Sequence, residues 1–225
     1  MNNTFLMMNL ALCLTACGAK KPVVSSVEAV KKASENVEDS VEHNTELKAE
    51  QFAWTHTDLV GTWQGSCFSS PSADGSFNQL TFQMTDQEWS LDYSVYADES
   101  CEIKFITVNI IGPYSLGAKI EIEEGAREGT FRFVSRSITP HIAPAIDLIK
   151  ETCGFENLSV GMPADLASGC TGLGVYPIAD CDADYDIVML KDNVLHFGQR
   201  PADNNMCTAE KRPSSFDGGA QVTKQ

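Results

Sequence analysis

From Leu59 to Phe197 the chain runs in short segments in which apolar and polar residues alternate, broken by Gly, Pro, Asp, Asn or Ser. Period-two patterning turns one face of a strand toward a core and the other toward water, so this stretch is built for antiparallel sheet. Leu80, Phe82 and Met84 alternate in one run, and Trp89, Leu91, Tyr93 and Val95 in the next. Cys101 to Ile111 is long enough to cross a small barrel, while Ile120 with Ile122 and Phe131 with Phe133 mark two further strands. Tyr185 to Leu190 and Val194 to Phe197 flank Lys191-Asp-Asn193 as a hairpin with a tight turn. Counted with the run that opens at Leu59-Val-Gly-Thr-Trp63, about eight strands are expected. One short helix interrupts them, from Ile142 to Thr152, where Ile142, Ile146 and Ile149 share a face. Sequential antiparallel strands of this number close most simply into an up-and-down β-barrel, which abolishes exposed edges, so the fold class is mainly β.

Eight cysteines punctuate the chain. Cys13 and Cys17 belong to the N-terminal region, which leaves Cys67, Cys101, Cys153, Cys170, Cys181 and Cys207. An even number in an exported protein reads as disulfides, and six cysteines allow fifteen pairings. Cys67 with Cys101 is the first choice, because both fall on expected strands of one sheet region. The spacings contain no Cys-x-x-Cys, and His141 and His196 stand in no ligand register, so neither a metal site nor a cofactor is expected. Residues 153 to 184 hold glycines and three of the cysteines with little periodicity, the pattern of a long disulfide-pinned loop. Asp180, Asp182 and Asp184 start like a calcium loop, but Tyr185 replaces the required glycine and Lys191 the required glutamate.

The apolar stretch from Phe5 to Thr15 is too short to cross roughly 30 Å of hydrocarbon and reads as the core of a secretory signal. It leads into Leu14-Thr-Ala-Cys17-Gly18, which resembles the lipobox of bacterial lipoproteins. That resemblance implies cleavage before Cys17, acylation of its thiol, and, with Gly18 in place of Asp, passage to the outer membrane. Residues 18 to 55 are polar and charged, with Val27, Val30, Val37 and Val41 as a thin helical stripe, and read as a solvated linker. The expected organisation is a signal at 1–16, an acylated N-terminus and linker at 17–55, a barrel at 56–217 and a flexible tail at 218–225.

Sixteen basic residues stand against 31 acidic ones, a formal net charge of −15. Phosphate backbones and anionic headgroups repel such a chain, so nucleic acid is excluded as a partner and the membrane is met through the lipid anchor. The histidines, at 43, 56, 141 and 196, are scattered. Ser115 lies in Pro113-Tyr-Ser-Leu-Gly117, which lacks the first glycine of a nucleophile elbow and reads as a turn. No catalytic residue is expected, and hence no enzyme.

Gly61-Thr-Trp63 on the first strand looks like the signature of the lipocalin and wider calycin families. Leu59 to Cys67, Tyr96-Ala-Asp-Glu-Ser-Cys101 and Gly112-Pro-Tyr-Ser-Leu-Gly117 follow in one order, with Tyr185-Asp-Ile-Val, Leu195-His-Phe-Gly198 and Lys211-Arg-Pro213 beyond. The set resembles the lipocalin-like domain of the adenomatosis-polyposis-coli-down-regulated family, over roughly residues 57 to 217. The resemblance implies a barrel that binds lipid or another hydrophobic small molecule. It implies too that Gly61 and Trp63 form the barrel floor, with Arg200 or Arg212 stacked on the tryptophan. Phe82, Trp89, Tyr93, Phe105 and Phe131 are the candidate lining of the ligand cavity. The competing expectation is a solidly packed barrel in a structural or protein-interaction lipoprotein, whose 153–184 loop contacts a partner.

Overall fold

A computed structural model describes residues 54–70 and 74–225; the signal, Cys17 and nearly all of the linker lie outside the described residues. Among the described residues are β1 (Gly61–Gln64), β2 (Phe68–Ser69), β3 (Phe77–Met84), β4 (Glu88–Tyr96), β5 (Lys104–Lys119), β6 (Arg127–Arg132) and β7 (Ser135–Pro140). Helix α1 (Ala143–Cys153) follows, then β8 (Ala164–Asp165), β9 (Ala183–Lys191), β10 (Val194–Phe197) and β11 (Gln221–Lys224). Eight of these strands close an antiparallel barrel in the order β1-β3-β4-β5-β6-β9-β10-β11, and β11 pairs back onto β1 through Trp63↔Lys224. Each wall strand neighbours the next one in sequence, the up-and-down connectivity expected from short consecutive runs.

Several boundaries differ from the expectations, each for a local reason. Pro113 to Gly117 is no turn: β5 continues through it as one 16-residue strand. Gly112 makes this possible, because a Cβ there would lie 2.0 Å from the Arg132 carbonyl oxygen. At that point the opposite arm of the hairpin breaks between β6 and β7, and the two parts take different outer partners, β9 and β8. Ile120 and Ile122 form no strand of their own; they lie in the turn that joins β5 to β6. Residues 218–225 are no free tail, since β11 is the closing strand and Val222 is buried. Four residues are too few to show a period, which hid this strand. The hairpin between β9 and β10 turns on Asp192 and Asn193, both at positive φ, the conformation a two-residue type I′ turn requires.

The connections β3–β4, β5–β6 and β9–β10 lie at the lower end of the barrel, and the longer ones at the upper end. All three disulfides are at the upper end: Cys67–Cys101, Cys153–Cys170 and Cys181–Cys207. Cys67 and Cys101 stand in connections beside the strands, not on them. Helix α1 starts with a proline in its first turn and ends at Gly154, whose φ of 75° is the left-handed stop that glycine adopts freely. It packs Ala145 and Ile149 against Val95, Ile106 and Ile138, capping one side of the upper end. The 153–184 segment is not structureless, because β8 pairs with β7 and a 3-10 turn spans Thr171–Leu173.

Candidate functional site

The lower end is sealed by aromatic side chains. Trp63 is fully buried, and its indole N–H donates to the Leu59 carbonyl at 2.7 Å. Phe82 stacks on Phe197 at 4.7 Å between centroids, and Trp89 meets Phe131 edge-on at 5.1 Å. The polar tips in this layer are satisfied, Trp89 by the Arg132 carbonyl and Tyr114 by that of Thr85. The cation on Trp63 is Lys224 of β11, with Nζ 5.3 Å from the ring and bonded to the Asp58 carbonyl. Gly61 fits this arrangement, since its φ is 138° and a Cβ would meet Lys224 Cε at 2.9 Å.

Neither expected arginine takes that place. Arg212 projects on the outer side, over the Tyr185 ring, donating to the carbonyls of Gly129 and Asp186 and facing Glu128. Arg200 turns into the upper half. Both come from the long connection between β10 and β11, whereas Lys224 lies on the strand paired with Trp63.

Of the five aromatics expected to line a cavity, Phe82, Trp89 and Phe131 belong to the packed floor. Phe105 lies on the opposite pleat from the inward Ile106 and joins the cluster around α1. Tyr93 alone is inward and half-buried in the upper tier, together with Leu80, Leu91, Val108 and Ile110. Strand alternation puts these five on the same face as the buried floor residues, so the surface they keep is turned to the barrel interior.

Charged groups stand among them. Asp184 and Asp186 share the inward face of β9 with Val188, and Arg136 shares that of β7 with Ile138. Arg200 Nη1 bonds Asp184 Oδ2 at 2.8 Å while its Nε donates to Asn204. Arg136, 6% exposed, donates Nη1 to the Tyr176 carbonyl at 2.7 Å and stacks its guanidinium 4.5 Å from the Phe133 ring. Its Nε is buried with no partner, and so is Nδ2 of the inward-facing Asn78. Asp186 Oδ1 accepts the backbone N–H groups of Ile187 and Gly198 at 2.7 and 3.0 Å.

These contacts set the protonation states. Burial pushes Asp186 up to about 7 against the pull of Arg200 and its two backbone donors. Burial likewise holds the Tyr93 phenol protonated, raised to about 12. Burial also works against the charge on Arg200, but Asp184 beside it outweighs this and raises its pKa. Arg136 is lowered by burial and by Arg200, with Asp184 in opposition. Of the two guanidinium groups in the interior, Arg200 is ion-paired and, among the described residues, Arg136 is not.

None of Arg136, Asp184, Asp186 and Arg200 was expected in the barrel interior: Arg200 was named only as a possible partner of Trp63, and Asp184 only in the calcium-like spacing. A signal was present for three of them: Arg136-x-Ile138 and Asp184-x-Asp186-x-Val188 keep their charges in phase with the apolar face. Arg200 had none, as it follows β10 in an irregular loop. His141 Nε2 lies 2.9 Å from Thr107 Oγ1, which contacts Ser94 Oγ. Both hydroxyls are buried, and their register places them on the outer pleat, so the chain of contacts links β4, β5 and the residue after β7. Comparison with protein-family models and with curated proteins gave no match for the chain.

Proposed function

We propose that the chain is a lipoprotein of the bacterial cell envelope, tethered through an acylated Cys17, most readily at the outer membrane. Its barrel binds, carries or sequesters a small hydrophobic molecule and catalyses no reaction. The observation that carries this reading is the contrast between a sealed floor and an upper tier of half-buried inward residues, Leu80, Leu91, Tyr93, Val108 and Ile110. An apolar ligand that covered this surface would gain roughly 25 cal/mol per Å² removed from water. Pockets of this kind are mostly apolar with a few placed polar groups, as here.

A second reading, a protein-interaction lipoprotein, draws on the exposed Val160 and Met162, 49% and 61% accessible, in the segment between α1 and β9. Native mass spectrometry with lipid extraction separates the two, using the full chain with Cys17→Ser so that no acyl anchor enters the assay. A stoichiometric hydrophobic species is the expected result. An empty protein that also refuses an uncharged apolar fluorophore would sink the carrier reading in favour of the partner. Incorporation of an alkyne-tagged fatty acid in the unaltered chain, lost in Cys17→Ser, is expected for the anchor; equal labelling of both would rule it out.

A further inference from the structure

The two guanidinium groups of the upper tier are unequally paired. Arg200 is committed to Asp184 at 2.8 Å and to Asn204. Among the described residues no carboxylate bonds Arg136; Asp184, which favours its charge from a distance, is bonded to Arg200. The Tyr176 carbonyl takes its Nη1, and Nε is buried without a partner. What remains is the Nε–Nη2 edge, the fork that meets a carboxylate through two parallel hydrogen bonds. A guanidinium cannot relieve its burial by giving up a proton near neutral pH, so an uncompensated one is a standing cost that an anion would remove. Asp186 forms no ion pair with Arg136, and its Oδ1 is taken by two backbone N–H groups. Arg136 lies beside apolar surface, opposite Ile110 across the β5–β7 pair, with Val108 and Leu91 next along that face.

Resting on the carrier reading above, we propose that the ligand is a single-chain amphiphile with a carboxylate head, which pairs with Arg136 while its chain lies against Leu80, Leu91, Val108 and Ile110. One unpartnered guanidinium edge matches one planar carboxylate. A net charge of −15 on the protein also disfavours heads with more than one negative charge.

The test is displacement of the uncharged fluorophore N-phenyl-1-naphthylamine from the full chain, purified with its disulfides formed, by hexadecanoate, methyl hexadecanoate and hexadecyl phosphate. Hexadecanoate is expected to displace at a concentration at least about tenfold below the ester. Arg136→Met should shrink that ratio to about twofold or less, with displacement by the ester unchanged, because the loss of one charged pair affects only the acid. Equal displacement by acid and ester on the unaltered chain overturns the head-group assignment and leaves the carrier reading in place. Tighter displacement by hexadecyl phosphate overturns the choice of carboxylate. A chain that takes up no fluorophore overturns the carrier reading and the head group with it. The acid-to-ester ratio on the unaltered chain decides the matter even where Arg136→Met fails to fold.

Discussion

The two ends of the barrel are stabilised by different means. At the lower end the rings of Trp63, Phe82, Trp89, Phe131 and Phe197 pack together in the interior, and the indole and phenol tips of Trp63, Trp89 and Tyr114 each have a partner. At the upper end the inward face mixes half-buried aliphatics with Arg136, Asp184 and Arg200, and the surrounding connections are held by three disulfides. Packing does at one end what covalent links do at the other. An interior that need not supply all of its own stability is free to hold polar groups in geometries that a dry core would reject.

That contrast can be broken by substitution. The largest effect is expected for Trp63→Ala, a fully buried indole with a bonded N–H, which should cost about 3–5 kcal/mol in urea unfolding. A loss below about 1 kcal/mol would show that the floor is not where the stability resides. Replacing Cys181 and Cys207 together by serine opens a link between residues 26 apart in sequence and should cost about 2–4 kcal/mol. Faster amide exchange is expected in 199–220 with the floor turns unchanged; acceleration spread evenly over both ends would erase the distinction.

A third test sharpens the comparison through pH. Asp186 has its pKa raised from 3.8 to about 7, so the folded state holds its proton more tightly than the unfolded chain. Its contribution is fully present below pH 4 and is lost as pH rises through 7. Asp186→Asn keeps an acceptor oxygen and should gain on the parent as pH increases, by up to about 4 kcal/mol at pH 8. Parallel stability curves for the two proteins between pH 4 and 8 would contradict the buried, raised carboxyl. The smallest effect is expected for Lys224→Met, which removes the cation from the Trp63 face and its bond to the Asp58 carbonyl. A loss of about 0.5–1 kcal/mol is expected by thermal unfolding. A loss as large as that of Trp63→Ala would make the lysine part of the floor rather than its cover.

Much of the wall was legible because alternation is a direct consequence of the pleat: Leu80-x-Phe82-x-Met84 and Trp89-x-Leu91-x-Tyr93 lie inward as their spacing requires. The tight turn at Asp192-Asn193 was legible too, because few residues accept positive φ twice in succession. What escaped were features that depend on distant pairing. Lys224 covers Trp63 only because β11 returns to β1, and nothing in Gln221-Val-Thr-Lys224 announces that partner. Phe105 was assigned to the wrong face because the register shifts between Val95 and Tyr96, opposite the start of β5. The charged tier was overlooked because an arginine or aspartate in phase with isoleucine and valine reads as a solvated residue until the barrel closes around it.

Closure itself sets an order of events. Asp58 and Lys224, which meet at the seam, are 166 residues apart, and a contact of such long range is late and slow to form. A ribosome delivers the β1 edge early, and that edge must wait for β11. Until Lys224 emerges the growing chain is an open sheet rather than a container, its inward face still in reach of water.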